Sequence, residues 1–130
     1  MANKKKILLI DDEENFCFLV KQNLEDTGEF SVEAVNDPDK GIKLAHKIVP
    51  DVILLDITMP KKSGLQVLEI LKQNTKTMAI PIIMLTAHSD SDTKLKASYL
   101  YGDDYLVKPV SYEVLKAKID EVLDRKSRFK

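Results

Sequence analysis

Short runs of consecutive apolar residues alternate along this chain with longer stretches in which apolar residues recur at helical spacing. The runs are Lys6-Ile7-Leu8-Leu9-Ile10, Val52-Ile53-Leu54-Leu55, Pro81-Ile82-Ile83-Met84-Leu85 and Tyr105-Leu106-Val107. Apolar at nearly every position and only a few residues long, they read as strands buried on both faces of a parallel sheet. The helical stretches lie between them. Phe16, Leu19, Val20 and Leu24 follow the first run, and Gly28 closes that segment as a cap. Asp37-Pro38 opens a second helix with an N-cap residue followed by proline in the first turn, and Ile42, Ala45 and Ile48 or Val49 form its inner face. Gly64 precedes a third helix carrying Leu65, Leu68 and Leu71. Residues 89 to 92 offer N-caps for a fourth that runs to about Leu100, and Ser111 caps a fifth with Leu115, Ile119 and Val122.

Strands that alternate with helices of this length imply an α/β protein. The pattern predicts one doubly wound (βα)5 domain of flavodoxin-like type, with a parallel five-stranded sheet of order 2-1-3-4-5 and helices on both faces. In such a sheet, ligands bind in the crevice beyond the carboxyl ends of the strands. Each quoted run stops on a reactive residue there: Asp11-Asp12, Asp56, Thr86 and Lys108-Pro109. Strand order 2-1-3 sets the first and third strands side by side, which brings Asp11, Asp12 and Asp56 together.

Three carboxylates in one small crevice repel one another and raise one another's pKa values unless a cation joins them. Mg²⁺, with Mn²⁺ as a substitute, suits an all-oxygen set and shares its shell readily with phosphate. Asp56 stands alone at its strand end and is the expected nucleophile toward phosphorus, whereas Asp11-Asp12 serves as a metal-holding pair. Thr86 is placed to hydrogen-bond a transferred phosphoryl oxygen and Lys108 to neutralise another as a point charge. Nucleophile, metal and charge clamps are the parts that phosphoryl transfer requires.

Composition narrows the setting. A chain of 130 residues fits a single domain. Residues 1–124 are expected to form it, with 125–130 as a short basic tail. With 20 basic and 21 acidic side chains and a formal net charge of −1, nothing marks a polyanion binder. Direct nucleic-acid contact is therefore not expected, and the clusters Lys4-Lys5-Lys6 and Arg125-Lys126-Ser127-Arg128 read as solvated flanks. The one cysteine, Cys17, excludes an internal disulfide and lies in an apolar helical stretch, which fits burial in a reducing compartment. The longest apolar runs span about five residues against the roughly 18 to 20 of a membrane span. With no signal-peptide pattern at the N-terminus, the expectation is a cytoplasmic protein without membrane contact.

The chain resembles the receiver domains of two-component response regulators. The likeness rests on Leu8-Leu9-Ile10-Asp11-Asp12-Glu13, on Pro50-Asp51-Val52-Ile53-Leu54-Leu55-Asp56-Ile57-Thr58-Met59-Pro60, on Gly64-Leu65, on Ile82-Ile83-Met84-Leu85-Thr86-Ala87 and on Asp103-Asp104-Tyr105-Leu106-Val107-Lys108-Pro109. The likeness covers essentially the whole chain, in the manner of stand-alone chemotaxis-type regulators. It implies that Asp56 is the phosphoacceptor and that Asp11 and Asp12 hold Mg²⁺ together with Asp56 and the Thr58 backbone carbonyl. It also implies that Thr86 is a switch hydroxyl, Tyr105 a switch aromatic and Lys108 a phosphate-contacting lysine joined to Pro109 by a cis bond. A sensor histidine kinase or a histidine phosphotransfer protein is the implied donor. A downstream protein is the implied target, met by a monomer or transient dimer through the face of the fourth helix, fifth strand and fifth helix. The implied role is that of a phosphoacceptor in signalling, catalysing only its own phosphorylation and dephosphorylation. If Lys130 ends the protein, output must run through contact with another protein.

The chain also departs from the family pattern. Tyr101-Gly102 stands where many relatives carry Gly-Ala, which puts a large ring on a surface that usually carries signalling. Val110 replaces a Phe found in some chemotaxis-type members. Thr58 and His88 occupy the two variable positions flanking the pocket. A haloacid-dehalogenase-type phosphatase would need a second acid at position 58. A receiver degraded to a scaffold would lack an acid, Thr86 or Lys108, and a flavodoxin-type redox domain would need a phosphate loop where Asp11-Asp12-Glu13-Glu14 stands.

Overall fold

In the computed structural model, which describes residues 3–87 and 104–128, the two innermost chain runs become strands buried at every position, β3 (Val52–Asp56) and β4 (Ile82–Thr86). Around them lie β1 (Lys5–Ile10), β2 (Phe30–Val35) and β5 (Asp104–Val107), with α1 (Glu14–Glu25), α2 (Pro38–Ile48), α3 (Gly64–Lys72) and α4 (Tyr112–Arg128) between and after them. The sheet is parallel with order β2-β1-β3-β4-β5. That is the expected doubly wound arrangement.

Each sheet face carries its own apolar core. Ile7, Leu9, Leu54, Ile83 and Leu85 pack with Cys17, Val20 and Leu24 of α1 and with Leu115, Ile119 and Val122 of α4. Leu8, Ile10, Ile53, Leu55, Ile82 and Met84 pack with Ala45 of α2 and with Val67, Leu68 and Leu71 of α3. Alternate residues of each central strand thus serve opposite layers, which is why the runs are continuously apolar.

The helix ends follow local chemistry. Asp37 caps α2, its side chain accepting from the Lys40 N–H at 3.0 Å, with Pro38 in the first turn. Ser63 caps α3 in a reciprocal capping box with Gln66. Ser111 Oγ accepts from the Val114 N–H at 3.2 Å at the start of α4. Gly28 adopts φ +80 just beyond α1, as its expected role requires.

Four expectations change. The run Tyr105-Leu106-Val107, expected to be buried on both faces, forms the edge strand β5, covered on one side of the sheet only, with Tyr105 and Val107 each 36% exposed. Leu19, expected on the inner face, is 56% exposed, because the buried stripe of α1 runs through Val20, Leu24 and Cys17, whose expected burial holds. Val49 leaves α2 in a left-handed conformation with φ 44 and is exposed, so it closes the helix and does not pack inward. The basic segment expected as a tail continues α4 to Arg128, supported by the Arg125–Glu121 and Arg128–Asp124 pairs one turn apart. The expected helix over residues 89–100, together with His88 and Tyr101-Gly102, lies outside the described residues.

Candidate functional site

Sheet register builds the site. Ile10 pairs with Leu55, so the next residues, Asp11 and Asp56, emerge side by side from adjacent strands. Asp56 in turn pairs with Leu85, one residue before Thr86, and Thr86 pairs with Val107, one residue before Lys108. Four strand ends therefore deliver the reactive side chains to one edge.

The carboxylates of Asp11, Asp12 and Asp56 each offer an oxygen within 4.8 Å of the others. Asp11 is fully buried, Asp56 is 4% exposed and Asp12 faces solvent. Lys108 Nζ donates to Asp11 Oδ2 at 2.6 Å and to Glu13 Oε1 at 3.0 Å, and stands 4.0 Å from Asp56 Oδ1. Its ammonium lies 4.3 Å from the centroid of the Phe16 ring. The peptide bond from Lys108 to Pro109 is cis, and the Lys108 N–H donates to the Thr86 carbonyl at 2.6 Å. Thr86 is itself buried at the end of β4.

The first β–α turn is held from below. The Asp11 carbonyl accepts from Asn36 Nδ2 at 2.9 Å and from Cys17 Sγ at 3.4 Å, while Asp11 Oδ1 accepts from the Glu13 N–H at 2.9 Å. Across the crevice, Asp56 Oδ1 accepts from the Thr58 N–H at 3.2 Å. Gly64 is required beside it, because a Cβ there would lie 2.1 Å from the Asp56 carbonyl oxygen. Asp51, the other acid near β3, sits at the opposite end of the sheet and accepts from the Lys6 N–H at 2.7 Å.

Among the described residues, one ammonium, that of Lys108, stands against these acids. Burial, and then the negative charge of Asp11, push the Asp56 carboxyl up to about 7 against the pull of Lys108 and the Thr58 N–H. Burial also raises Asp11 above the ordinary carboxylate range despite its contact with Lys108. Burial would lower Lys108, but its hydrogen bonds to Asp11 and Glu13 more than offset this and raise it. Buried and raised to about 12, the Cys17 thiol is a packing group and not a nucleophile. Three converging carboxylates with a deficit of positive charge fit a hard divalent cation bound through oxygen. A cleft of about 330 Å³ lined by Glu13, Phe16, Ala87, Lys108, Pro109 and Val110 opens beside the site.

Asp11, Asp12, Asp56, Thr86 and Lys108 thus all lie at one sheet edge, as their strand-end positions predict. Sequence reasoning missed Glu13 as a partner of Lys108 and Asn36 as the support of the Asp11 backbone. The acidic run Asp11-Asp12-Glu13-Glu14 was a signal for the first, and nothing local marked the second.

Comparison with known proteins gives the family in which this α/β crevice of acids, hydroxyl and lysine stands. The sequence profile of the response regulator receiver domain matches residues 7–120, and the chain belongs to that family. It is 37% identical over 121 residues to the alkaline phosphatase synthesis transcriptional regulatory protein PhoP of Bacillus subtilis, covering 93% of this chain and 49% of that protein. It is also 37% identical to the DNA-binding dual master transcriptional regulator RpaA of Synechocystis, covering 95% of this chain and 51% of that one. The chain thus spans about half the length of these curated relatives. Among solved structures, chemotaxis protein CheY4 of Vibrio cholerae superposes with TM-score 0.87 at 28% identity, covering 92% of this chain and 99% of that one. A CheY-like receiver domain protein of Methanospirillum hungatei gives TM-score 0.92 at 26% identity, covering 98% and 100%.

Proposed function

We propose that Asp56 accepts a phosphoryl group from the phosphohistidine of a sensor kinase or phosphotransfer protein, with Mg²⁺ held by Asp11, Asp12, Asp56 and the Thr58 carbonyl. The observation that supports this reading is the convergence of the Asp11, Asp12 and Asp56 carboxylates, of which Asp11 and Asp56 share the Lys108 ammonium, the one cation that reaches them among the described residues. When bound, the ion supplies the charge that lets an anionic nucleophile approach an anionic phosphoryl group. An Asp56 oxygen attacks phosphorus in line and forms the P–O bond. The P–N bond to the donor ring breaks and its electron pair returns to that nitrogen. The other ring nitrogen carries the proton, so the donor leaves as neutral imidazole. Lys108 and Thr86 receive two of the phosphoryl oxygens, as charge and as hydroxyl donor.

Readout follows through β5 and α4. By parallel register Tyr105 lies beside Met84, and Val107 beside Thr86, on one sheet face, and both Tyr105 and Val107 are 36% exposed. Movement of the Thr86 hydroxyl toward the phosphoryl group would change the space open to the Tyr105 ring, which couples the site to a protein-binding face. The target is a protein in the cytoplasm, met by a monomer or a transient dimer through this face. The remainder of the face expected for it lies outside the described residues.

The test is labelling by a phosphohistidine donor or by acetyl phosphate, with and without Mg²⁺. Asp56→Asn is expected to abolish acid-stable, hydroxylamine-labile label, and metal removal to abolish it in the unaltered protein. Full labelling of Asp56→Asn refutes the assignment.

A further inference from the structure

The loop between β3 and α3 is tied at its base and at its apex. At the base, the Gly64 N–H donates to the Ile57 carbonyl at 2.7 Å, and the Ile57 N–H donates to the Leu85 carbonyl at 2.8 Å. At the apex, two lysines reach across to the start of α2. Lys61 Nζ pairs with Asp37 Oδ1 at 2.9 Å, and Lys62 Nζ pairs with Asp39 Oδ1 at 3.0 Å. Lys61 holds φ 71, a left-handed conformation that residues other than glycine adopt at a cost. A backbone outlier needs surroundings that over-determine it, and here they are two cations one residue apart bound to acids two residues apart on a neighbouring helix.

The anchor is itself tied to α2. Asp37 is also the N-cap of α2, its other oxygen accepting from the Lys40 N–H, so it is held to that helix independently of Lys61. Between the base and the apex lie Thr58, whose N–H is on Asp56, and Met59, which is 8% exposed.

We propose that Lys61 and Lys62 are positioning residues for the divalent cation: their ion pairs with Asp37 and Asp39 latch the β3–α3 loop to α2 and so fix the Thr58 carbonyl at the acidic crevice. The inference rests on the metal site proposed above. One exposed ion pair contributes little, and Lys61 is the more exposed of the two lysines. Two pairs restraining the same short loop act together on one displacement, and it is the displacement that moves Thr58.

Charge reversal separates a latch from simple electrostatics, because the two predict opposite signs. Lys61→Glu with Lys62→Glu adds negative charge near an acidic site, which through space alone tightens Mg²⁺ binding. The same pair of changes repels Asp37 and Asp39 and frees the loop, which weakens it. Isothermal titration of the metal-free protein with MgCl₂ at low salt is expected to show about threefold to tenfold weaker binding in this double variant. Lys61→Arg with Lys62→Arg is expected to bind as the unaltered protein does. If the glutamate variant does not fold, as read by urea unfolding without metal, Lys61→Asn with Lys62→Gln replaces it, and weaker binding is again expected. Unchanged or tighter binding in the folded variant overturns the latch and leaves the metal site standing. Failure of the unaltered protein to bind Mg²⁺ overturns the metal site and the latch with it.

Discussion

Lys108 is shared unequally between two buried acids, its ammonium 2.6 Å from Asp11 Oδ2 and 4.0 Å from Asp56 Oδ1. The close partner is held as an ion pair. The farther one, Asp56, is raised to about 7 by burial and by the charge of Asp11, and Asp11 is itself raised by burial despite its closer contact.

Removing that ammonium should expose the deficit. Lys108→Met leaves Asp11 and Asp56 buried without a cation, and about 1–3 kcal/mol of stability should be lost at pH 8 in metal-free buffer. At pH 5 the acids can protonate and the loss should shrink. Urea unfolding at the two pH values measures it, and equal losses would mean that Lys108 does not compensate these carboxylates.

The raised Asp56 pKa gives the metal-free protein an unusual pH dependence. The carboxyl sits near 7 when folded and near 3.8 when free, so between these values the folded state binds more protons than the unfolded state. Stability must then fall as pH rises from about 4 to 7, by up to a few kcal/mol. Asp56→Asn should remove most of this slope and raise stability at pH 8, and saturating Mg²⁺ should flatten it in the unaltered protein. A stability that climbs steadily from pH 5 to pH 8 without metal would contradict the site's electrostatics.

Two acids flanking the sheet test its polarity. Asp12→Ala should weaken Mg²⁺ binding, whereas Asp51→Ala should leave it unchanged and instead cost about 1 kcal/mol, since Asp51 holds the Lys6 N–H at the far end of β1. Metal titration and urea unfolding of both variants decide this. Equal losses of metal affinity would mean the acidic edge is misplaced.

Coupling to partners is the function expected of Tyr105. Tyr105→Ala should leave labelling of Asp56 nearly intact and reduce the change in partner affinity that phosphorylation brings. NMR with and without beryllofluoride checks the premise. Shifts confined to the residues around Asp11, Asp12 and Asp56, with β5 and the start of α4 silent, would rule the coupling out.

Four of the five strand positions, the caps at Asp37 and Ser111 and the five strand-end residues were legible in the sequence because each is a local property, whereas the half-buried β2 and the Ser63 cap of α3 were not read from it. A buried parallel strand needs apolar residues on both faces, a helix start needs Asp37-Pro38 or Ser111, and strand ends are where side chains leave the core. Strand order was legible too, since right-handed crossovers leave few topologies for such a chain. The tertiary structure alone decided what depends on which side chains meet. The pairing of Lys108 with Glu13, the support of Asp11 by Asn36 and the ties from Lys61 and Lys62 to α2 join residues 95, 25 and 24 positions apart, or a similar distance. The outward turn of Leu19 depended on how α1 rotates against the sheet, a choice that the spacing of apolar residues leaves open because Phe16, Leu19, Val20 and Leu24 form an equally good stripe. The raised pKa of Asp56 arises from burial, and burial exists only once the chain has folded around it.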